Sequence, residues 1–267
     1  MRKYLAIFKM NFVSQLQYRS AAIAGSITQI CFGLMYVFLF GAFYKYGNIP
    51  ADFSYSQMVS YLWLQQAFFA FFYLFEQDKE IISAIVEGNI GYELARPMNL
   101  YNKWAATIYS KKLSKSFMRM IPLFVVAIAL PASIGIGLPA SWGAFGMFLL
   151  SLVTGGVLVT AICMLAHILV FKSMNPNGIF SFFATIGGFC SGVLCPIPLM
   201  PDILQKILKF TPFNYLNDFS FRIYVGSYDI KTSLINMGIQ IAWIIGIWAL
   251  GYFLLQRSLK KVEVQGG

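Results

Sequence analysis

Long apolar runs, with the charged residues gathered in the gaps between them, constrain the fold of this chain more than any other feature. A helix needs roughly 20 apolar residues to cross a bilayer core about 30 Å thick. Runs that approach or exceed this length cover residues 21–43, 58–75, 117–137, 142–171, 179–195 and 234–255. None shows the alternation over about ten residues that is typical of a membrane-barrel strand. The sequence therefore predicts an all-α integral membrane protein with six transmembrane helices.

The composition excludes a water-soluble fold and disfavours a nucleic-acid partner. Hydrophobic residues make up 58% of the chain and charged residues only 11%, whereas soluble domains carry roughly 25% charged residues. The formal net charge is +10, but the basic residues lie between the apolar runs. Anionic lipid headgroups suit that placement better than nucleic acid does, so we expect membrane lipids and no nucleic acid as partners.

The division of basic residues between the two sides of the membrane predicts the orientation of the chain. Among the 20 Lys and Arg residues, those on the side opposite the N-terminus are Lys45, Lys206, Lys209, Arg222 and Lys231. Because cytoplasmic loops are enriched in Lys and Arg, we expect both termini in the cytoplasm. An even number of spans agrees with termini on the same side. The expected location is the cell membrane, as a multi-pass protein of a bacterial plasma membrane.

Three segments outside the predicted spans have a distinct character, within what we interpret as one membrane domain over residues 1–267. Residues 1–19 carry apolar side chains at helical spacing and predict an amphipathic helix in the membrane interface; the alternative is an extension of the first span. Residues 76–116 form a long, basic cytoplasmic connection. Residues 196–233 begin with three prolines and contain many aromatic residues, which favours an external segment that re-enters the leaflet as a hairpin.

The sequence lacks residues that would let this chain drive transport or catalysis by itself. No Gly is followed by Lys, so the phosphate-binding loop of P-loop ATPases is missing. His167 is the single histidine, which excludes a metal cluster or triad built on several histidines; a hydrogen-bonded interfacial role is its simpler interpretation. Ion-coupled carriers need ionisable residues deep in the membrane. Of Asp, Glu, Lys and Arg, the predicted spans contain only Arg119, near an end. We expect no enzyme activity and no cofactor in this chain.

Polar and small residues inside the predicted spans indicate further sites. Gln65 and Gln66 are adjacent and point to different sides of a helix, so at least one is expected to face protein or a substrate pathway. Hydrogen bonds between helices are the alternative. Small residues four positions apart permit close contact between helices. Such pairs are Ala21 with Gly25 and Gly188 with Gly192.

Several motifs resemble those of a known transporter family. Residues 85–98 read IVEGNIGYELARPM and resemble the I-x-x-G-x-hydrophobic-x-x-x-L-x-R-P stretch after the second span of ABC-2 type transporter permeases. Residues 191–196 (SGVLCP), 199–201 (LMP) and 210–213 (FTPF) are similar to the fifth helix, external hairpin and P-F segment of that family. The resemblance covers essentially the whole chain in order, and it is greatest to the six-helix branch whose members have about this length.

The resemblance implies that two permease chains assemble with two ABC ATPase subunits, which bind the ATP and magnesium. It also implies that the connection after the second span docks on the ATPase, together with the N-terminal helix. The residues expected at this ATPase coupling site are Glu87, Gly88, Gly91, Glu93, Arg96 and Pro97. An ordinary basic loop that meets lipid phosphates is the alternative for this stretch.

The resemblance further places the contact between the two permeases at the first and fifth helices. Both pairs of small residues lie there, so the permease dimer contact is expected to contain Ala21, Gly25, Gly188 and Gly192. The second permease chain is either identical or homologous. The implied function is that of an exporter subunit for an amphipathic or lipid-like substrate, powered by a separate ATPase. A passive channel or facilitative carrier without an ATPase is the alternative.

Overall fold

The computed structural model describes residues 2–47, 53–95 and 97–260, and every regular element in these ranges is helical. The predicted all-α fold is thus confirmed. Two short 3-10 turns, Ile197–Leu199 and Pro212–Tyr215, accompany the α-helices. The α-helices are α1 Arg2–Leu16, α2 Arg19–Tyr46, α3 Tyr55–Ala67, α4 Phe69–Phe72, α5 Lys79–Val86, α6 Ile90–Leu94, α7 Leu100–Ala129, α8 Trp142–Ser173, α9 Pro176–Cys190, α10 Asp202–Leu208, α11 Asp218–Tyr224 and α12 Ile230–Leu259.

Three helices of the described ranges, α2, α8 and α12, are long and apolar enough to cross a membrane by length and composition. The other three predicted spans do not each correspond to a single helix with the same bounds. Residues 58–75 are divided between α3 and α4, and residues 117–137 begin inside α7 and extend past its end. Residues 179–195 begin inside α9 and extend past its end. This helix has 15 residues, a length of about 22 Å at 1.5 Å per residue.

Helix α8 lies at the centre of the bundle. It contacts α12, α11, α7, α9 and α5, and most of its apolar stretch is buried, whereas the corresponding stretches of α2 and α12 are largely exposed. A helix that is hydrophobic on all sides belongs inside a bundle or in lipid. The apolar outer faces of α2 and α12 therefore suit contact with lipid or with another membrane chain.

The break between α3 and α4 falls at Phe68, which has φ −100° and ψ 8°. Its partly buried ring contacts aromatic rings from α7, α8 and α11: the ring centroids of Phe124, Phe148 and Phe221 are 6.1, 6.0 and 6.2 Å away. Edge-to-face and tilted ring pairs at these distances are favourable. The bend is therefore part of the packed core.

The predicted N-terminal helix forms as α1 and packs along α7. The Phe12 ring lies 6.4 Å from that of Phe117, and the Ser114 hydroxyl donates a 2.9 Å hydrogen bond to the Phe12 carbonyl. These contacts fix α1 on the same end of α7 as the segment that carries α5 and α6. Its position in a membrane interface stays a prediction.

Residues 196–233 fold into α10, α11 and the two 3-10 turns. Helix α11 is almost wholly buried and contacts α8 and α3. The aromatic side chains of α11, Phe219, Phe221 and Tyr224, therefore serve packing within the chain, whereas Phe210 is exposed. Its predicted re-entry from the outer leaflet stays a prediction.

Candidate functional site

Helices α5 and α6 form a short pair that follows α4 and precedes α7. Asp78 precedes α5 and caps it: its Oδ1 atom accepts hydrogen bonds of 3.1 and 3.2 Å from the amides of Glu80 and Ile81. A side-chain cap of this kind satisfies amides that have no partner within the helix. Three apolar side chains of the pair are exposed: Val86, Tyr92 and Leu94, of which Tyr92 is 79% accessible. We call these three residues the apolar patch.

Asp78 also ties α5 to the two long helices α7 and α8. Its Oδ2 atom lies 2.7 Å from Lys111 Nζ on α7, and its backbone amide donates a 3.1 Å hydrogen bond to His167 Nε2 on α8. The other ring nitrogen, Nδ1, is 2.8 Å from the Cys163 carbonyl. Because Nε2 accepts a hydrogen bond, it carries no proton. The ring proton therefore lies on Nδ1, and the imidazole is neutral. His167 thus has a structural role that joins α8 to α5.

Two further contacts hold the connection between α4 and α7 in place. Lys115 pairs with Glu76, and the buried Lys112 donates a hydrogen bond from Nζ to the Tyr73 carbonyl. Burial lowers the pKa of Lys112, because desolvation disfavours the charged form of a lysine. The hydrogen bond to the Tyr73 carbonyl therefore stabilises the charged form of Lys112 in its buried position.

Sequence reasoning missed these anchoring contacts because it treated residues 76–116 as a connection. The structure extends α7 back to Leu100, so most of the basic residues there belong to a helix. A usable signal was present in Lys111, Lys115 and Arg119, which follow one another at intervals of four residues. This spacing places side chains on one face of a helix.

The structure places the predicted coupling glycines at the turn between α5 and α6 and just after it. Gly88 has φ +74°, a left-handed conformation that favours glycine. A β-carbon at Gly88 would meet no atom of the described chain within 4 Å, so this turn is open to a partner. Gly91 lies in α6, and Arg96 lies outside the described residues.

The predicted coupling carboxylates and proline are all near the apolar patch but have different surroundings. Glu87 is exposed and accepts a 3.1 Å hydrogen bond from the Asn89 side chain. Glu93 is paired with Lys103 on α7, so it anchors α6. The carbonyl of Pro97 lies 3.5 Å from Lys3 Nζ on α1. Glu87 is thus the carboxylate of this stretch that stays available for a partner.

Both predicted pathway glutamines are buried. Gln65 Nε2 donates hydrogen bonds of 2.8 and 2.9 Å to the carbonyls of Gly192 and Val193. It therefore joins α3 to the turn after α9. A structural hydrogen bond of this kind is close to the alternative given above, in which the glutamines bond between helices. A pathway role for Gln65 and Gln66 stays a prediction.

Two of the four small residues predicted at a permease contact have roles inside the chain. A β-carbon at Gly25 would lie 2.6 Å from Arg119 Nε, so the glycine makes room for this side chain. Gly192 has φ +85° and lies in the turn after α9, so it does not share a helix face with Gly188. Ala21 is exposed. The predicted contact between chains stays a prediction.

A buried ion pair between α11 residues was also missed from the sequence. Asp218 Oδ2 lies 2.8 Å from Arg222 Nε, and the Tyr61 hydroxyl donates a 2.7 Å hydrogen bond to Oδ1. The Arg222 guanidinium lies 5.6 Å from the centroid of the Tyr228 ring. Charges buried in a membrane protein are costly and are retained for a specific role. Their four-residue spacing was the sequence signal, but the partners come from distant parts of the chain.

These features together define a helical membrane protein that carries an anchored pair of short helices beside its bundle. The family model described as "ABC-2 family transporter protein" matches residues 30–266, and the chain belongs to this family. A comparison with curated proteins finds no match. Family membership confirms the resemblance, makes the chain a membrane component of an ABC transporter and implies association with ABC ATPase partners.

Proposed function

We propose that this chain is the permease subunit of an ABC exporter that moves an amphipathic or lipid-like substrate and is powered by separate ATPase subunits. The observation that carries the proposal is the apolar patch on α5 and α6, which is exposed although its helices are firmly anchored to the bundle. Exposed apolar side chains among charged ones are typical of protein interfaces. The apolar patch, with Glu87 and the open turn at Gly88, is the proposed ATPase contact.

The anchoring contacts could transmit a displacement of the apolar patch to the long helices α7 and α8. A displacement of α5 acts on α7 through Asp78 and Lys111 and on α8 through the hydrogen bond to His167. A displacement of α6 acts on α7 through Glu93 and Lys103. ATP biases the transporter because it binds the closed ATPase pair more tightly than the open pair. The helices would then move between inward-open and outward-open arrangements.

The proposed assembly contains two ATPases, which hold the ATP and magnesium, and two permeases that are identical or homologous. Both termini lie in the cytoplasm and six segments cross the membrane. Of these, α3 with α4 is bent and α9 is short. Interrupted helices are tolerated in a membrane where protein surrounds the break, as it does at Phe68. The largely exposed apolar faces of α2 and α12 support contact with lipid or with the second permease.

A pair of tyrosine variants tests the proposed ATPase contact. The chain is co-expressed with an ABC ATPase from its own genome, starting with any ATPase encoded beside it, and copurification and ATP hydrolysis are measured in proteoliposomes. Tyr92→Glu should reduce copurification at least tenfold, because it places a charge in the interface. Tyr46→Glu is the matched control, since Tyr46 is 80% exposed at the end of α2.

Two outcomes would contradict the proposal in different ways. Equal copurification of the two variants would remove the apolar patch from the ATPase contact. Substrate flux through liposomes that contain the isolated chain, with no dependence on ATPase or ATP, would favour a passive channel or facilitative carrier.

A further inference from the structure

A cavity of about 590 Å³ lies between the corner where α1 meets α2 and the helices α4 and α7. Its volume is in the range of small-molecule sites, which occupy about 300–1,000 Å³. The charged side chains that line it are Glu76, Lys115 and Arg119, and its apolar wall includes Phe69, Ala70 and Met118. We call it the corner cavity. It is separate from the apolar patch, and no coupling residue predicted above lines it.

Arg119 gives the corner cavity a positive charge that the described chain does not compensate. Lys115 is paired with Glu76, whereas Arg119 makes no ion pair with any described residue. Burial lowers the pKa of Lys115, and the positive charge of Arg119 lowers it further. A partly buried guanidinium favours an anionic partner, and its fixed donors match the oxygens of a phosphate.

Gly25 leaves room for the Arg119 side chain at the wall of the corner cavity. The guanidinium lies so close to α2 that a β-carbon at Gly25 would be 2.7 Å from its Cζ atom. The Ser26 hydroxyl, on the same helix, lies 3.3 Å from the Arg119 carbonyl. The arginine is thus held between α7 and α2 at the edge of the apolar wall.

The beginning of α2 adds a second source of positive potential. Ala21 and Ala22 belong to its first turn and line the corner cavity, and α2 has no side-chain cap at Tyr18. The first amides of a helix lack partners within it and favour anions. The amides of Arg19 and Ala22 already donate to the carbonyls of Gln17 and Tyr18, so Ala21 is the lining residue of this turn whose amide has no partner in the described chain.

We propose that the corner cavity binds the phosphate headgroup of an anionic phospholipid. Arg119 and the backbone amide of Ala21 hold the phosphate, and an acyl chain lies along Phe69, Ala70 and Met118. The apolar wall favours a lipid over free phosphate, because inorganic phosphate would leave that surface without an apolar partner. The proposal rests on the membrane location of the chain and is independent of any ATPase.

The test measures lipid retained by the purified full-length chain in native mass spectrometry. The detergent-solubilised protein is exchanged into mixtures of phosphatidylglycerol and phosphatidylcholine. Wild type should retain phosphatidylglycerol, and Arg119→Gln should retain about tenfold less, because a charge-assisted contact is lost. Lys9→Gln is the matched control, since Lys9 is an exposed basic residue of the same end of the molecule that does not line the corner cavity.

A second variant keeps the test independent of any folding defect caused by the loss of Arg119. Ala21→Leu keeps every charge but narrows the entrance, and Ala21 is exposed, so the fold should tolerate the change. It should also retain less phosphatidylglycerol. Equal retention by wild type and Ala21→Leu would overturn the proposal, as would equal loss in Arg119→Gln and Lys9→Gln. Full displacement of the lipid by millimolar inorganic phosphate would also overturn it, in favour of a free-anion site.

Discussion

Replacing Asp78 by alanine should loosen α5 from the bundle without changing the apolar patch itself. The substitution removes two capping hydrogen bonds, worth about 1 kcal/mol as a helix cap. It also leaves Lys111 without its nearest carboxylate. Removing one partner of a fully buried ion pair costs about 3–5 kcal/mol. Lys111 is partly exposed and has Glu80 at 3.9 Å, so we expect a smaller loss, about 1–2 kcal/mol.

The two contributions lower the free energy of local opening by about 2–3 kcal/mol, which corresponds to roughly 30- to 150-fold faster exchange of amide hydrogens. Hydrogen–deuterium exchange over residues 79–86 measures this directly in the purified chain. Asp78→Asn should fall between wild type and Asp78→Ala, because asparagine is also a good helix cap but carries no charge.

Glu80→Gln is the matched control for this experiment. Its side chain is 84% exposed and lies at the margin of ion-pair distance from Lys111, so exchange should stay within about twofold of wild type. If Asp78→Ala and Glu80→Gln exchanged at the same rate, the anchoring of α5 through Asp78 would be refuted.

Two further predictions concern the interior of the bundle. Asp218→Asn should lower the thermal unfolding temperature in detergent, because it leaves the buried charge of Arg222 without its partner. The double variant Asp218→Asn with Arg222→Gln should recover part of the loss, and a further decrease would contradict the pairing. Gly192→Ala should destabilise the fold by about 1–2 kcal/mol, because φ is +85° there. The control Gly246→Ala lies in α12 with open space around it and should be neutral or stabilising in the same measurement.

The helical character of the chain could be predicted from sequence, because a helix that crosses a bilayer needs a long apolar run. The positions where these helices are interrupted could not be predicted from sequence. Phe68 interrupts residues 58–75 in a stretch that contains neither Gly nor Pro, and the rings that stabilise the bend come from α7, α8 and α11. Tertiary contacts therefore decide the backbone here, and local propensity does not.

The position of the candidate site in the sequence could be predicted, but the contacts that anchor it to the bundle could not. Motif resemblance identified residues 85–98, and the apolar patch lies within them. The contact between Asp78 and His167 joins residues 89 positions apart, which a single sequence does not reveal. The glycine at position 192 was interpreted as part of a helix face because of its spacing, whereas the structure uses its left-handed conformation to end α9.

The bend at Phe68 limits the kinds of motion that α3 and α4 can make. Rings from three other helices surround it, and closely packed interiors move between discrete arrangements, since they do not deform continuously. A change of the angle between α3 and α4 would therefore disturb all three ring contacts of Phe68. A transport cycle that straightens this segment would have to repack these aromatic rings.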